Sequence, residues 1–124
     1  MATVKATLTL TSTDLTSDNL SVTNTQNMTC TQGGIIRYAV TGTSSGAAST
    51  LYTANDQTGP VWLYLKNTDT TAADYVYVFV DDAADSNFVK LGGGESIWLT
   101  LNKEATYKCY VQTAETIIEY GVFA

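Results

Sequence analysis

Four strand-like runs in residues 61–124 carry apolar or aromatic side chains on both of their alternating faces, and a small two-sheet fold can bury only one face of each sheet. Side chains alternate along a strand. In residues 61–65, Val61, Leu63 and Leu65 therefore share one side and Trp62 and Tyr64 the other. In residues 75–80, Val76, Val78 and Val80 oppose Tyr75, Tyr77 and Phe79. In residues 97–101, Ile97, Leu99 and Leu101 oppose Trp98 and Thr100, and residues 107–111 add Tyr110. Aliphatic residues fill one set and aromatic residues the other. The aliphatic set is expected to form the core, and Trp62, Tyr64, Tyr75, Tyr77, Phe79, Trp98 and Tyr110 an adhesive surface.

The rest of the chain supports an all-β reading. Residues 3–11 alternate with period two, placing Val4, Ala6, Leu8 and Leu10 inward and mostly Thr outward, the cleanest pattern of a half-buried strand in the chain. Residues 13–19 read as a turn, residues 20–30 as a weaker strand rich in hydroxyls and amides, and residues 35–40 as a strand with Ile36, Tyr38 and Val40 on one face. Residues 41–58 form a long turn-rich loop with a short strand at Leu51-Tyr52, and Pro60 stands where a strand can begin without losing a ladder bond. After the four strong runs, a last strand covers residues 117–123. About eight short strands spaced by turns, with no helical pattern, predict an antiparallel β-sandwich of the jelly-roll kind. A chain of 124 residues is the size of one domain and can bury such a core without disulfides or metals, so one sandwich over residues 1–124 is expected.

Composition narrows the function classes. Net charge is −6, with no histidine, and all of the surplus falls in residues 56–124, where ten acids face four bases. Phosphate binding needs clustered Lys and Arg, so no nucleic-acid partner is expected. Without histidine, neither a Ser-His-Asp arrangement nor a His-containing zinc site can be built, and a chain this small has little material to wall the cleft of a paired-carboxylate glycosidase. No enzymatic activity and no cofactor are expected. Met1-Ala2-Thr3 leads straight into a Thr-rich strand, which predicts no secretory signal. No run has the length of a membrane helix, so no membrane partner is expected. Cys30 and Cys109 read as small buried hydrophobes of a reducing compartment, with a bridge between them left open.

Two loops carry candidate chemistry. Gly92-Gly93-Gly94-Glu95-Ser96 leads into a strand and is not followed by the lysine of a phosphate loop, which predicts a tight turn with positive φ. Residues 81–87 place three carboxylates and an amide on one loop, part of a calcium shell, but lack the Asp spacing and terminal Glu of an EF-hand. A solvated turn is the simpler reading. The aromatic set itself has two uses, stacking on sugar rings or packing against another subunit.

The segments Val61-Trp62-Leu63-Tyr64-Leu65-Lys66-Asn67-Thr68-Asp69 and Lys90-Leu91-Gly92-Gly93-Gly94-Glu95-Ser96, with residues 107–111 and Glu119-Tyr120, resemble small virion structural proteins of tailed bacteriophages. These include capsid decoration or cement proteins and other head or tail accessory subunits. The turn before Glu95 is all glycine where such proteins often have Pro-Gly, and residues 81–87 are more acidic than their usual turns. The resemblance implies a role without catalytic residues: a protein made in the host cytoplasm and carried on the capsid surface of the virion. Its partners would be the major capsid protein or other virion subunits, and a homo-oligomer, a trimer first, would cover the second sheet face. The alternative is a carbohydrate-binding or tail and fibre accessory module using an aromatic sheet face.

Overall fold

The computed structural model describes residues 1–15, 17–82 and 86–124. It separates into two compact units, Met1–Thr31 and Gln32–Ala124.

The first unit is a single hairpin. Strand β1 (Ala2–Ser12) pairs antiparallel with β2 (Leu20–Cys30) along their full eleven-residue lengths, from Ala2 opposite Cys30 to Ser12 opposite Leu20. Directly opposite residues share a face. One face thus carries Ala2, Val4, Ala6, Leu8 and Leu10 beside Cys30, Met28, Gln26, Asn24 and Val22. The other is made of Thr3, Lys5, Thr7, Thr9 and Thr11 beside Thr29, Asn27, Thr25, Thr23 and Ser21. Met28 and Cys30, near the chain ends of the ribbon, are buried, whereas Leu8 and Leu10 are 56% and 47% exposed and Val22 44%. The distal half of the strand with the cleanest alternation is therefore not half-buried. Its pattern fixes which side chains share a face and leaves that face uncovered.

The second unit is the sandwich. Its strands are β3 (Ile36–Val40), β4 (Ser49–Tyr52), β5 (Val61–Asn67), β6 (Val76–Val80), β7 (Asn87–Leu91), β8 (Ser96–Leu101), β9 (Tyr107–Val111) and β10 (Thr116–Phe123), with a short 3-10 turn at Ser45–Ala47 before β4. They form two four-stranded antiparallel sheets, in the orders β3-β10-β5-β8 and β4-β9-β6-β7. The first of the eight strands pairs with the last, the second with the seventh, the third with the sixth and the fourth with the fifth. Rolling that long ladder over sets β10 against β5 and β9 against β6, which is jelly-roll topology. Strand β7 is an element the sequence pattern missed. Its residues lack strong alternation, and a bulge opposite Val78 and Phe79 disturbs its register.

The aliphatic set fills the space between the sheets as expected. Val61, Leu63, Leu65, Val76 and Val78 are fully buried, and Leu101, Cys109, Val111 and Ile118 join them in one core. Two joints lock the ends of the strands. Asn67 is fully buried; its amide donates to the carbonyls of Asp74 at 2.7 Å and Leu91 at 3.1 Å and its oxygen accepts from the Asp69 amide at 3.0 Å. Its backbone pairs with Glu95 and Gly94 at 2.9 Å each, so the end of β5 and the glycine turn before β8 meet here. Gly94 has φ of 84°, the predicted positive-φ turn, which the Glu95 carboxylate closes by accepting from the Gly92 amide at 2.7 Å. At the other joint, residues 33 and 34 cross the outer side of β10, where a Cβ on Gly121 would lie 2.3 Å from the Gly34 carbonyl oxygen. Gln32 and Ala124 exchange two backbone bonds of 3.0 Å beyond that crossing.

Candidate functional site

The seven aromatic residues lie outside the aliphatic core, but they divide between the outer faces of two different sheets. Trp62 and Tyr64 on β5 and Trp98 on β8 belong to the β3-β10-β5-β8 sheet, while Tyr75 leads into β6, which carries Tyr77 and Phe79, and Tyr110 stands on β9 of the other sheet. Strand alternation separates aromatic from aliphatic correctly. It cannot say that β5 and β6, consecutive in the chain, enter opposite sheets.

On the first face, Tyr64 lies opposite Trp98, and Trp62 opposite Phe123. The Trp98 and Phe123 rings are 5.7 Å apart. Trp62 is only 8% exposed, and its indole N–H, like that of Trp98, is enclosed with no hydrogen-bond acceptor among the described residues. The Tyr64 hydroxyl donates to the Glu119 carboxylate at 3.1 Å, and Arg37 approaches that carboxylate at 3.5 Å. Burial pushes the Tyr64 hydroxyl above its ordinary pKa, and the neighbouring Glu119 carboxylate, by its hydrogen bond and its charge, adds to the rise.

The second face is a ring stack fixed by polar contacts. Tyr77 and Tyr110, directly opposite in the ladder, stack with centroids 5.1 Å apart, Tyr75 follows 6.4 Å from Tyr77, and Phe79 meets Tyr110 edge-on at 5.8 Å. The Lys90 ammonium sits 3.7 Å from the centre of the Tyr75 ring, a cation–π contact. The Tyr77 hydroxyl donates to Gln112 at 3.2 Å, Asn87 donates to the Tyr110 hydroxyl at 2.8 Å, and Lys108 pairs with Asp81 at 2.7 Å. Phe79, expected in the adhesive surface, is fully buried and presents nothing to a partner. The half-buried rings of Tyr75, Tyr77 and Tyr110 remain, held by fixed partners, so a docking molecule would meet a surface with little side-chain entropy left to lose.

Sequence reading missed the largest uncovered apolar side chains. Apart from Met1 and Phe88 they gather in two places: Leu8, Leu10, Leu15 and Val22 on the hairpin unit, and Ile35, Ile36, Tyr38 and Ile117 on and beside β3. The alternation of residues 3–11 and 35–40 carries the signal of which side chains share a face, but not of whether that face is covered. Ile36 and Tyr38 do lie on the inner side of β3, in the row that ends at the fully buried Val40, yet they are 54% and 45% exposed. Strand β3 is the edge of its sheet, and its row overhangs the core.

The remaining candidates are structural. Cys30 and Cys109 are free and buried, and burial pushes the Cys109 thiol up to about 12. Among the described residues no group of three or more metal-ligating side chains occurs. Of the proposed calcium loop, Asp81 is engaged by Lys108, while residues 83–85, including Asp85, lie outside the described residues. A polar-walled depression of about 450 Å³ lies between β4 and the chain ends of the sandwich, with Tyr52, Asp56 and Gln57 facing Gln32 and Val122. No helix among the described residues is long and apolar enough to cross a membrane.

No family model and no curated protein matches the chain. Among solved structures it is similar to a chain of the Bacillus endospore appendages described as a novel family of disulfide-linked pili. Identity is 16%, over 79% of this chain and 95% of that one, with a TM-score of 0.46.

Proposed function

We propose that this chain is a non-enzymatic structural subunit of a bacteriophage particle, a decoration or cement protein that docks on the capsid surface and stabilises the head. One observation carries the reading: uncovered apolar side chains stand together in two rows, Leu8, Leu10 and Val22 on one face of the hairpin and Ile36 and Tyr38 on one side of β3, in a chain with only 15% charged residues. Clustered apolar surface of this kind marks contacts with other macromolecules. A subunit that binds only the expanded capsid lattice would stabilise it by mass action, as any ligand that binds one state favours that state. The Thr-rich strands β1 and β2 carry few long flexible side chains, so their surface loses little side-chain freedom on docking.

The test is co-sedimentation with expanded heads assembled from the major capsid protein of the same genome. Binding with a raised melting temperature of the heads is expected. Failure to sediment with them at any concentration, with the heads melting unchanged, would remove the decoration role.

A second reading is carbohydrate binding at Tyr75, Tyr77 and Tyr110, favoured by three rings on one sheet face. A sugar stacking on Tyr75 must displace Lys90 from that ring. Glycan titration watched by tyrosine fluorescence, with Tyr77→Ala as control, separates this reading from the first.

A further inference from the structure

We infer that the β1–β2 hairpin of one copy docks on the β3 edge of a second copy, building a head-to-tail ring or filament. The inference rests on the reading of this chain as an assembly subunit and names the surfaces that assemble.

Three observations place the second copy there. Strand β3 pairs only with β10 among the described residues, so the backbone donors and acceptors along its other side are open to another strand. It has no proline, and apart from its shortness the single charge of Arg37 is all that its own residues set against pairing. The hairpin likewise has one open side on each strand, and a two-stranded ribbon alone is marginally stable.

The faces also correspond. A strand laid beside β3 continues both of its rows, one formed by Ile36 and Tyr38 and the other by Arg37 and Ala39. Strand β1 offers Leu8 and Leu10 on one side and Thr7, Thr9 and Thr11 on the other. Pairing in that sense sets Leu8 and Leu10 next to Ile36 and Tyr38, and threonines next to Arg37. A shift by one residue would put leucines beside Arg37, so the pattern selects the register. Strand β2 is the poorer choice, because Asn24 and Gln26 interrupt its apolar row.

Size decides between a single contact and a repeating one. Edge pairing runs only along the five residues of β3, about 17 Å at ~3.4 Å per residue. A contact of that length and one strand wide covers well under what a stable complex buries on each side. Each copy donates its hairpin to one neighbour and accepts the hairpin of another, so the small contacts act together once a ring or filament joins them. Donor and acceptor surfaces differ, so the contact is heterologous, and such contacts close into rings or extend as filaments. The ribbon carries Lys5 against Asp14 and Asp18 and lacks the basic flanks of a membrane-surface segment.

The experiment is sedimentation velocity on the full chain, on Leu10→Glu, on Ile36→Glu, and on an equal mixture of the two variants. Both positions are largely exposed, so each variant should keep the wild-type melting temperature. Wild type is expected to form a ring or larger species with rising concentration. Each variant alone should lose association by on the order of tenfold or more, because docking would enclose an unpaired carboxylate. In the mixture, the intact hairpin of Ile36→Glu meets the intact edge of Leu10→Glu, and a heterodimer that grows no further is expected. Ile36→Glu assembling like wild type would overturn the inference, since hairpins would then be pairing with hairpins. So would a wild type that stays monomeric at every concentration. A monomer that still sediments with phage heads would sink this inference and leave the decoration reading standing; an assembling protein that ignores heads would do the reverse.

Discussion

Hairpin β1–β2 and the sandwich are built from the same alternation of side chains, and they put it to opposite uses. In the sandwich, the aliphatic rows of β5 and β6 face another sheet, and Val61, Leu63, Val76 and Val78 are fully buried. In the hairpin, the row of β1 is equally regular, yet Leu8 and Leu10 are about half exposed. Period-two alternation states which residues share a face; whether that face is covered depends on a second layer that the strand itself does not encode. The regular strand without a layer is the one that can accept it from another molecule.

The sharpest contrast is truncation of equivalent inward rows. Leu63→Ala should cost the sandwich about 3 kcal/mol, in the range for a fully buried leucine, whereas Leu8→Ala should change dilute-solution stability by about 0.5 kcal/mol or less. Urea denaturation of both variants checks the difference, and equal losses would break the comparison. Asn67→Ala comes next, at about 2–3 kcal/mol, because it leaves the carbonyls of Asp74 and Leu91 and the amide of Asp69 without their partner. Gly121→Ala should cost about 2 kcal/mol, since a Cβ there meets the Gly34 carbonyl at 2.3 Å and the crossing segment must shift. Smaller still, up to about pH 10, is an alkaline effect confined to the sandwich. Burial raises the Cys109 thiol from 9.0 to about 12, and Tyr64 and Tyr120 are raised in the same direction. These groups stay protonated in the folded state while the unfolded chain releases its protons. Stability is therefore full below about pH 9 and falls as pH climbs toward 12. Cys109→Ala should flatten part of that fall in a pH series of thermal melts, and an unchanged slope would show that the thiol contributes nothing.

Much of the sandwich was legible because its strands satisfy several rules together. Residues 107–111 read as strand β9 without correction, and β5, β6, β8 and β10 were placed within two residues. The all-β jelly roll followed from strand number and spacing. Strand β7 was not legible, because Asn87, Phe88 and Lys90 obscure its alternation and a bulge offsets its partner. The candidate surface was half legible. Aromatic residues do stand opposite the aliphatic core, but pairing across non-consecutive strands sends Trp62 and Tyr77 to different sheets, and nothing local to either strand records that choice. Phe79 follows the outward period and is nevertheless enclosed, so period alone does not give exposure. The exposed row of β3 is the converse case. Ile36 and Tyr38 obey the inward period, and their exposure comes from the edge position of the strand.

Hydrogen exchange measured at low and high protein concentration tests most directly whether the hairpin is a docking element that another molecule completes. The prediction is rapid exchange through residues 5–12 and 20–27 in dilute solution and marked slowing on concentration, while β5 and β6 stay protected throughout. Hairpin amides as protected as those of β5 in dilute solution, or indifferent to concentration, would contradict it.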